Sequence, residues 1–176
     1  MTHKRLKNLL LLISIIALVC IVGYFVLIKK SAQVVYTPTQ NTEPATYIEY
    51  INNQFGFTFT LPVSWKGYSI VNKNWEGQMI DSPTTPGVEG PEILIRNPLW
   101  TSKNPRQDIP IMIFTPAQWN LIQEEKLSLG AAPIGPSELG QNTKYVFALP
   151  ARYNFAFLTG FEEVEKILEN KPLNAF

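Results

Sequence analysis

Cysteine and histidine are almost missing from this chain: Cys20 and His3 are its only examples, and both lie near the N-terminus. Everything beyond residue 20 therefore lacks the side chains on which nucleophile–base pairs and most zinc sites depend. A Ser-His-Asp or Cys-His arrangement has no base there, and a His/Cys zinc site has no ligands. A lone cysteine also excludes an intrachain disulfide. Aspartate is scarce, with Asp81 and Asp108 the only two. No glycine-rich phosphate loop and no EF-hand spacing occurs. These gaps point to no metal and no cofactor, and they leave carboxylate chemistry as the catalytic option still open.

Positive charge is lacking where nucleic acid would need it. The net charge of +1 conceals an asymmetry, because Lys4, Arg5, Lys7, Lys29 and Lys30 precede residue 31 with no acid among them. From Ser31 onward ten Lys/Arg face fourteen Asp/Glu, about −4 at neutral pH. Neutralising phosphates requires a basic surface, so no nucleic-acid partner is expected.

What the chain does have is a long uncharged run. Residues 9–28 carry no charged side chain and no polar stripe. As a helix rising 1.5 Å per residue, a run of this length spans roughly 30 Å, the hydrocarbon thickness of a bilayer. Tyr24 and Phe25 fall near its outer end, where aromatic rings favour the interface. Two other membrane readings fit less well. A cleaved signal peptide has a shorter apolar core ending at small residues, whereas Lys29-Lys30 follow this one. A lipidated Cys20 requires a small residue at Val19 and a polar turn after the cysteine, but the apolar run continues to Ile28. The positive-inside rule places residues 1–8 in the cytoplasm and the acidic remainder outside.

Residues 29–46 are polar, threonine-rich and broken by Pro38 and Pro44, the composition of an extended spacer. Residues 47–176 are long enough for one real core. Residues 47–51 read as a strand and residues 52–54 as a turn. Phe55, Phe57, Phe59 and Leu61 then alternate with Gly56, Thr58 and Thr60, the period of a half-buried strand that Pro62 stops. Mixed strand character continues from Trp65 to Ile80. The three prolines and two glycines of residues 81–91 predict a loop. Residues 92–96, 109–114 and 144–149 read as strands, the last two apolar on both faces and so interior to a sheet. Thr115-Pro116-Ala117-Gln118 predicts a capped helix start. Thr159-Gly160-Phe161-Glu162 reads as a second capping box, followed by a stripe of Phe161, Val164, Ile167 and Leu168. Residues 152–158 are expected to lead into that helix as a further helical turn. The whole predicts an α+β fold in which helices cover a twisted, mainly antiparallel sheet.

The run Phe55-Gly56-Phe57-Thr58-Phe59-Thr60-Leu61-Pro62-Val63-Ser64-Trp65 resembles the N-terminal signature of PsbP-like domains. That family, many of whose members are exported or membrane-attached bacterial proteins, implies an α/β/α-type sandwich around a central antiparallel sheet. The resemblance covers about eleven residues. It is structural, its aromatics filling a core while Gly56 permits close approach, and it transfers no functional residue.

Candidate sites come from the tryptophans and the loops. Trp65 belongs to the core motif and Trp119 to a helix that packs on the sheet, which leaves Trp75 and Trp100. Trp100 follows Arg96 closely, and a tryptophan beside an arginine suits a sugar or a peptide. Residues 81–91 and 97–108 are expected to border one cleft at one end of the sheet. The ligand-binding candidates are accordingly Trp75, Arg96, Trp100 and Arg106. Asp81, Glu89, Glu92 and Asp108 are the acids in or beside loops, while Glu124-Glu125 and Glu162-Glu163-Glu165 form wet helix faces. The expected function is a membrane-anchored extracytoplasmic binding or assembly module without catalytic residues, with a protein or envelope component as partner. The alternatives are a divergent carboxylate-based hydrolase acting on an envelope glycan, and a structural subunit recognised through its membrane helix.

Overall fold

The computed structural model describes residues 46–82, 87–130 and 134–176. The expected cytoplasmic segment, membrane span and most of the spacer lie outside these residues. Among the described residues no helix is long and apolar enough to cross a membrane.

The alternation read in the first strands produces a hairpin. Strand β1 (Tyr47–Asn52) pairs antiparallel with β2 (Phe57–Pro62), Tyr47 opposite Pro62 and Asn52 opposite Phe57. Phe57, Phe59 and Leu61 point inward and are fully buried. Phe55 and Gly56 fall in the turn, where Gly56 adopts φ +77. A 3-10 turn (Val63–Trp65) then leads into β3 (Ser69–Met79), which pairs with β4 (Val88–Arg96). Strand β5 (Ile109–Phe114) is buried along its whole length, as its two apolar faces predict. Pro110 sits at the second residue of β5, near the strand start expected for a residue without an amide donor.

Helix α1 (Pro116–Gln123) starts as the sequence dictates: Thr115 Oγ1 accepts from the Gln118 amide, and the Gln118 side chain accepts from the Thr115 amide. Two-residue β6 (Leu127–Ser128), then β7 (Ser137–Gln141) and β8 (Val146–Leu149), complete the main sheet. Helix α2 (Phe161–Glu169) and β9 (Leu173–Ala175) end the chain. Every ladder is antiparallel, so the α+β, mainly antiparallel expectation holds at that level.

The single sheet of the sequence reading is two. One has the order β1-β2-β9 and the other β6-β3-β4-β5-β8-β7, curled like half a barrel. Pro62, the 3-10 turn and Gly67 at φ +91 swing the chain out of β2 rather than into a ladder with it. One face of the large sheet packs Ile93, Ile95, Ile109, Ile111, Ile113 and Phe147 against Phe57, Phe59, Leu61 and Trp65, with Val164 and Ile167 from α2. The other face packs Trp75, Met112, Phe114, Leu127 and Val146 with Ile122 of α1.

Three expectations fail locally. Helix α2 is capped by Gly160 at φ 90 with no side-chain bond, so Thr159 is not its N-cap. The Thr159 carbonyl instead accepts from the Gln107 amide. Residues 151–156 form successive turns and not a helix, with Arg152 at φ 54 and Phe157 at φ 46. Val88, Gly90 and Pro91, read as loop, are strand: Trp75 pairs with Gly90 and Asn74 with Pro91.

Candidate interaction surface at the β4–β5 end

Strand β4 ends at Arg96, and the chain must turn back into β5. Asp108, just before β5, holds both sides of that turn. Its Oδ2 lies 3.1 Å from Arg96 Nε, and its Oδ1 accepts from the Asn97 amide at 3.2 Å. The Asn97 side chain accepts from the Leu99 amide, and the Asn97 carbonyl from that of Trp100. This turn brings the Trp100 ring under Arg96, whose guanidinium carbon stands 4.0 Å from the ring centroid. A cation over an indole face is attracted by the ring quadrupole. Arg96 is thus engaged by a carboxylate and a ring together.

Loop 97–108 is stitched to loop 150–160. Arg106 bridges Thr159, and the buried Gln107 side chain donates to the carbonyls of Asp108 and Tyr153. Three of the four sequence candidates, Arg96, Trp100 and Arg106, therefore meet at one end of the domain.

Trp75 does not join them. Six positions separate its partner Gly90 from Arg96 on β4, roughly 20 Å at about 3.3 Å per residue. Its ring is buried and its Nε1–H donates to the Ile113 carbonyl at 2.9 Å, which makes it a core residue and not a ligand contact. The shared cleft fails for a related reason. Consecutive antiparallel strands place successive connections at alternate ends, so the β3–β4 loop and the β4–β5 loop sit at opposite ends of the sheet.

The candidate acids are spread by the same register. Asp108 is at the Arg96 end, while Asp81 and Glu89 are at the other, where Asn74 Nδ2 donates to Glu89 at 3.2 Å. Glu92, opposite Lys73, lies between; burial raises its pKa and nearby Lys73 opposes the rise. Glu76, passed over in the sequence, stands directly across from Glu89. Among the described residues no group of three or more His, Cys, Asp or Glu is placed to hold a metal.

Arg96, Trp100 and Arg106 line none of the three concavities that follow. A cleft of about 540 Å³ runs between α2 and the β1–β2 hairpin, lined by Tyr47, Pro62, Glu163, Lys166 and Lys171 among others. One of about 670 Å³ adjoins Glu76 and Glu89, and one of about 450 Å³ lies beside α1 over Met112, Ile122 and Leu127. What sequence reasoning missed at the Arg96 end is apolar: Leu99, Phe155 and Phe157 are largely exposed there. The double phenylalanine was legible as composition, but its exposure depends on two left-handed residues that no local pattern marks. Comparison with protein-family models, with curated proteins and with solved structures finds no match to the chain.

Proposed function

We propose that the chain is a single-pass membrane protein holding a non-catalytic binding or assembly module outside the cytoplasm. In this reading residues 9–28 span the bilayer, residues 1–8 are cytoplasmic and residues 29–46 are the spacer. The finer α/β/α-type arrangement and the PsbP-like resemblance belong to the same proposal. They are supported by one helix packing on each face of the large sheet and by the burial of Phe57, Phe59, Leu61 and Trp65.

The observation that carries a binding role is the Arg96–Trp100–Arg106 end. It is a surface of ordered loops, stitched by hydrogen bonds and carrying exposed large apolar side chains. Such patches on a monomer mark contact with a partner. Because Arg96 is satisfied by Asp108 and Trp100, Trp100 and Arg106 are the residues whose removal tests the surface. The expected result is that the full chain fractionates with membranes and resists carbonate extraction. Trp100→Ala and Arg106→Ala should then lose crosslinked products in cells while retaining the wild-type circular dichroism spectrum. Unchanged crosslinking in both variants sinks the site, and a chain released by carbonate sinks the anchor.

The hydrolase alternative has one observation in its favour. Glu76 and Glu89 are cross-strand neighbours beside a cleft, and glycoside hydrolysis requires paired carboxyl groups roughly 5–10 Å apart. Glycan turnover abolished by Glu89→Gln would move the weight to it.

A further inference from the structure

We propose that the end formed by loops 97–108 and 150–160 seats on a bilayer surface carrying anionic lipid headgroups. The proposal rests on the anchored reading for the bilayer it meets, and on the structure for its chemistry. Leu99, Phe155 and Phe157 are 63%, 76% and 68% exposed. They stand on the two loops that Arg106, Gln107 and Thr159 tie together, so they belong to one end. Trp100, partly exposed, sits among them.

Two left-handed residues shape the loop that carries the phenylalanines. Arg152 and Phe157 hold φ of 54 and 46, a conformation that bulky residues adopt only when the surroundings enforce it. Turn bonds from Phe155 N to the Arg152 carbonyl and from Phe157 N to the Asn154 carbonyl, both 2.9 Å, enforce it here. Phe157 also meets Phe161 edge-on at 5.2 Å.

The same end carries cations. The two loops carry Lys103, Arg106 and Arg152, and their acid, Asp108, is engaged by Arg96. Opposing charges come from α2: Glu162 and Glu163 in its first turn, the latter accepting from Ser64. Glu165 accepts from Asn154. At the far end of the sheet Glu76, Asp81 and Glu89 gather at the β3–β4 turn, with Glu125 after α1, where Glu124 pairs with Lys126. Apolar and aromatic tips on loops that also carry Lys and Arg suit the headgroup boundary, the rings entering and the cations meeting phosphate.

The chain path points the same way. Thr46, the first described residue, accepts from the Val63 amide. A short way on, Ser69 pairs with Arg96, and Gly67 lies against Pro98. The domain is thus entered beside the loops in question. In the anchored reading, 18 residues (29–46) join the membrane segment to this entry point, a contour of at most about 60 Å, which keeps this end within reach of the bilayer.

The test uses residues 43–176, a compact unit that holds every buried core residue described. It is cosedimented with vesicles of phosphatidylcholine alone and of phosphatidylcholine with phosphatidylglycerol. Binding is expected only to the anionic vesicles, weakening as salt rises. The Phe155→Ser/Phe157→Ser variant should bind at least tenfold more weakly, and a Lys103→Gln/Arg106→Gln/Arg152→Gln variant should lose most of the salt dependence. Ile51→Ser, exposed beside the β1–β2 turn, should bind as wild type. Phe157→Gly, which removes the ring and relieves the positive φ together, guards against a folding artefact and should also bind weakly. Equal binding to both vesicles, no binding, or full binding by the phenylalanine variants overturns the proposal and leaves a protein partner for this surface. Fractionation of the full chain tests the anchor separately, so a membrane-bound chain whose unit ignores vesicles refutes the docking alone.

Discussion

At position 90 a missing side chain decides the packing. A Cβ placed on Gly90 would lie 2.5 to 2.7 Å from three atoms of the Trp75 indole. The ring therefore lies flat on the β4 backbone, with its Nε1–H donated to the Ile113 carbonyl. Gly90→Ala should lower stability by about 1–3 kcal/mol through overpacking, read as an earlier urea midpoint with little change in slope. A midpoint equal to wild type would mean that the ring moves aside freely. Glu92, nearby on the same strand, gives a pH signature. Its pKa is raised by burial, so the folded state holds the proton more tightly than the unfolded chain. Stability from this group is present below the ordinary carboxylate range and is lost as pH rises through the raised value. Glu92→Gln should therefore melt higher than wild type at neutral pH, and the difference should vanish in mild acid. A difference that grows on acidification would refute the burial assignment.

The elements show where a pattern in the sequence is enough and where it is not. Strand β2 was legible because its alternation continues without a break, and β5 and β8 because both of their faces are apolar. The cap of α1 was legible because Thr115, Pro116 and Gln118 satisfy each other locally. Residues 159–162 present a similar pattern of residue types, yet Gly160 at φ 90 is itself the N-cap and its carbonyl accepts from the Val164 amide, which leaves Thr159 one residue outside the helix. Strands β7 and β9 escaped because they are short, and β7 is mostly polar with a register shift between Glu138 and Gly140. The meeting of Arg96, Trp100 and Arg106 followed from proximity along the chain. Trp75 stands apart because it is buried in the core at the other end of the β3–β4 ladder, which spacing along the chain does not reveal. Asn142 shows how such elements are joined: its Nδ2 donates to the carbonyls of Phe55 and Gly56 at 2.9 and 3.1 Å, and its Oδ1 accepts from the amides of Lys144 and Tyr145. Phe176 N completes the joint by donating to the Gly56 carbonyl. Asn142→Ala should cost about 1–3 kcal/mol by orphaning these groups and should speed amide exchange at Phe176. Unchanged exchange would show that the last strand holds without it.

At the scale of the whole domain, two apolar clusters lie on opposite faces of one sheet. Trp65 belongs to the first, with the β1–β2 hairpin and α2, and Trp75 to the second, with α1. Both clusters draw on β5 and β8, whose residues alternate between them: Ile113 and Phe147 face one way, Phe114 and Val146 the other. Losing either cluster exposes one face of strands that the other still needs covered, so neither face gains by unfolding alone. Small domains joined in this way unfold in a single cooperative step. In residues 43–176 with Trp100→Phe and Trp119→Phe, variants retaining only Trp65 or only Trp75 should report the same urea midpoint, once each substitution's own cost is matched against circular dichroism. If the Trp75 signal is lost first while secondary structure persists, the α1 face is a separately stable layer, and the Gly90 and Glu92 effects above would read local rather than global stability.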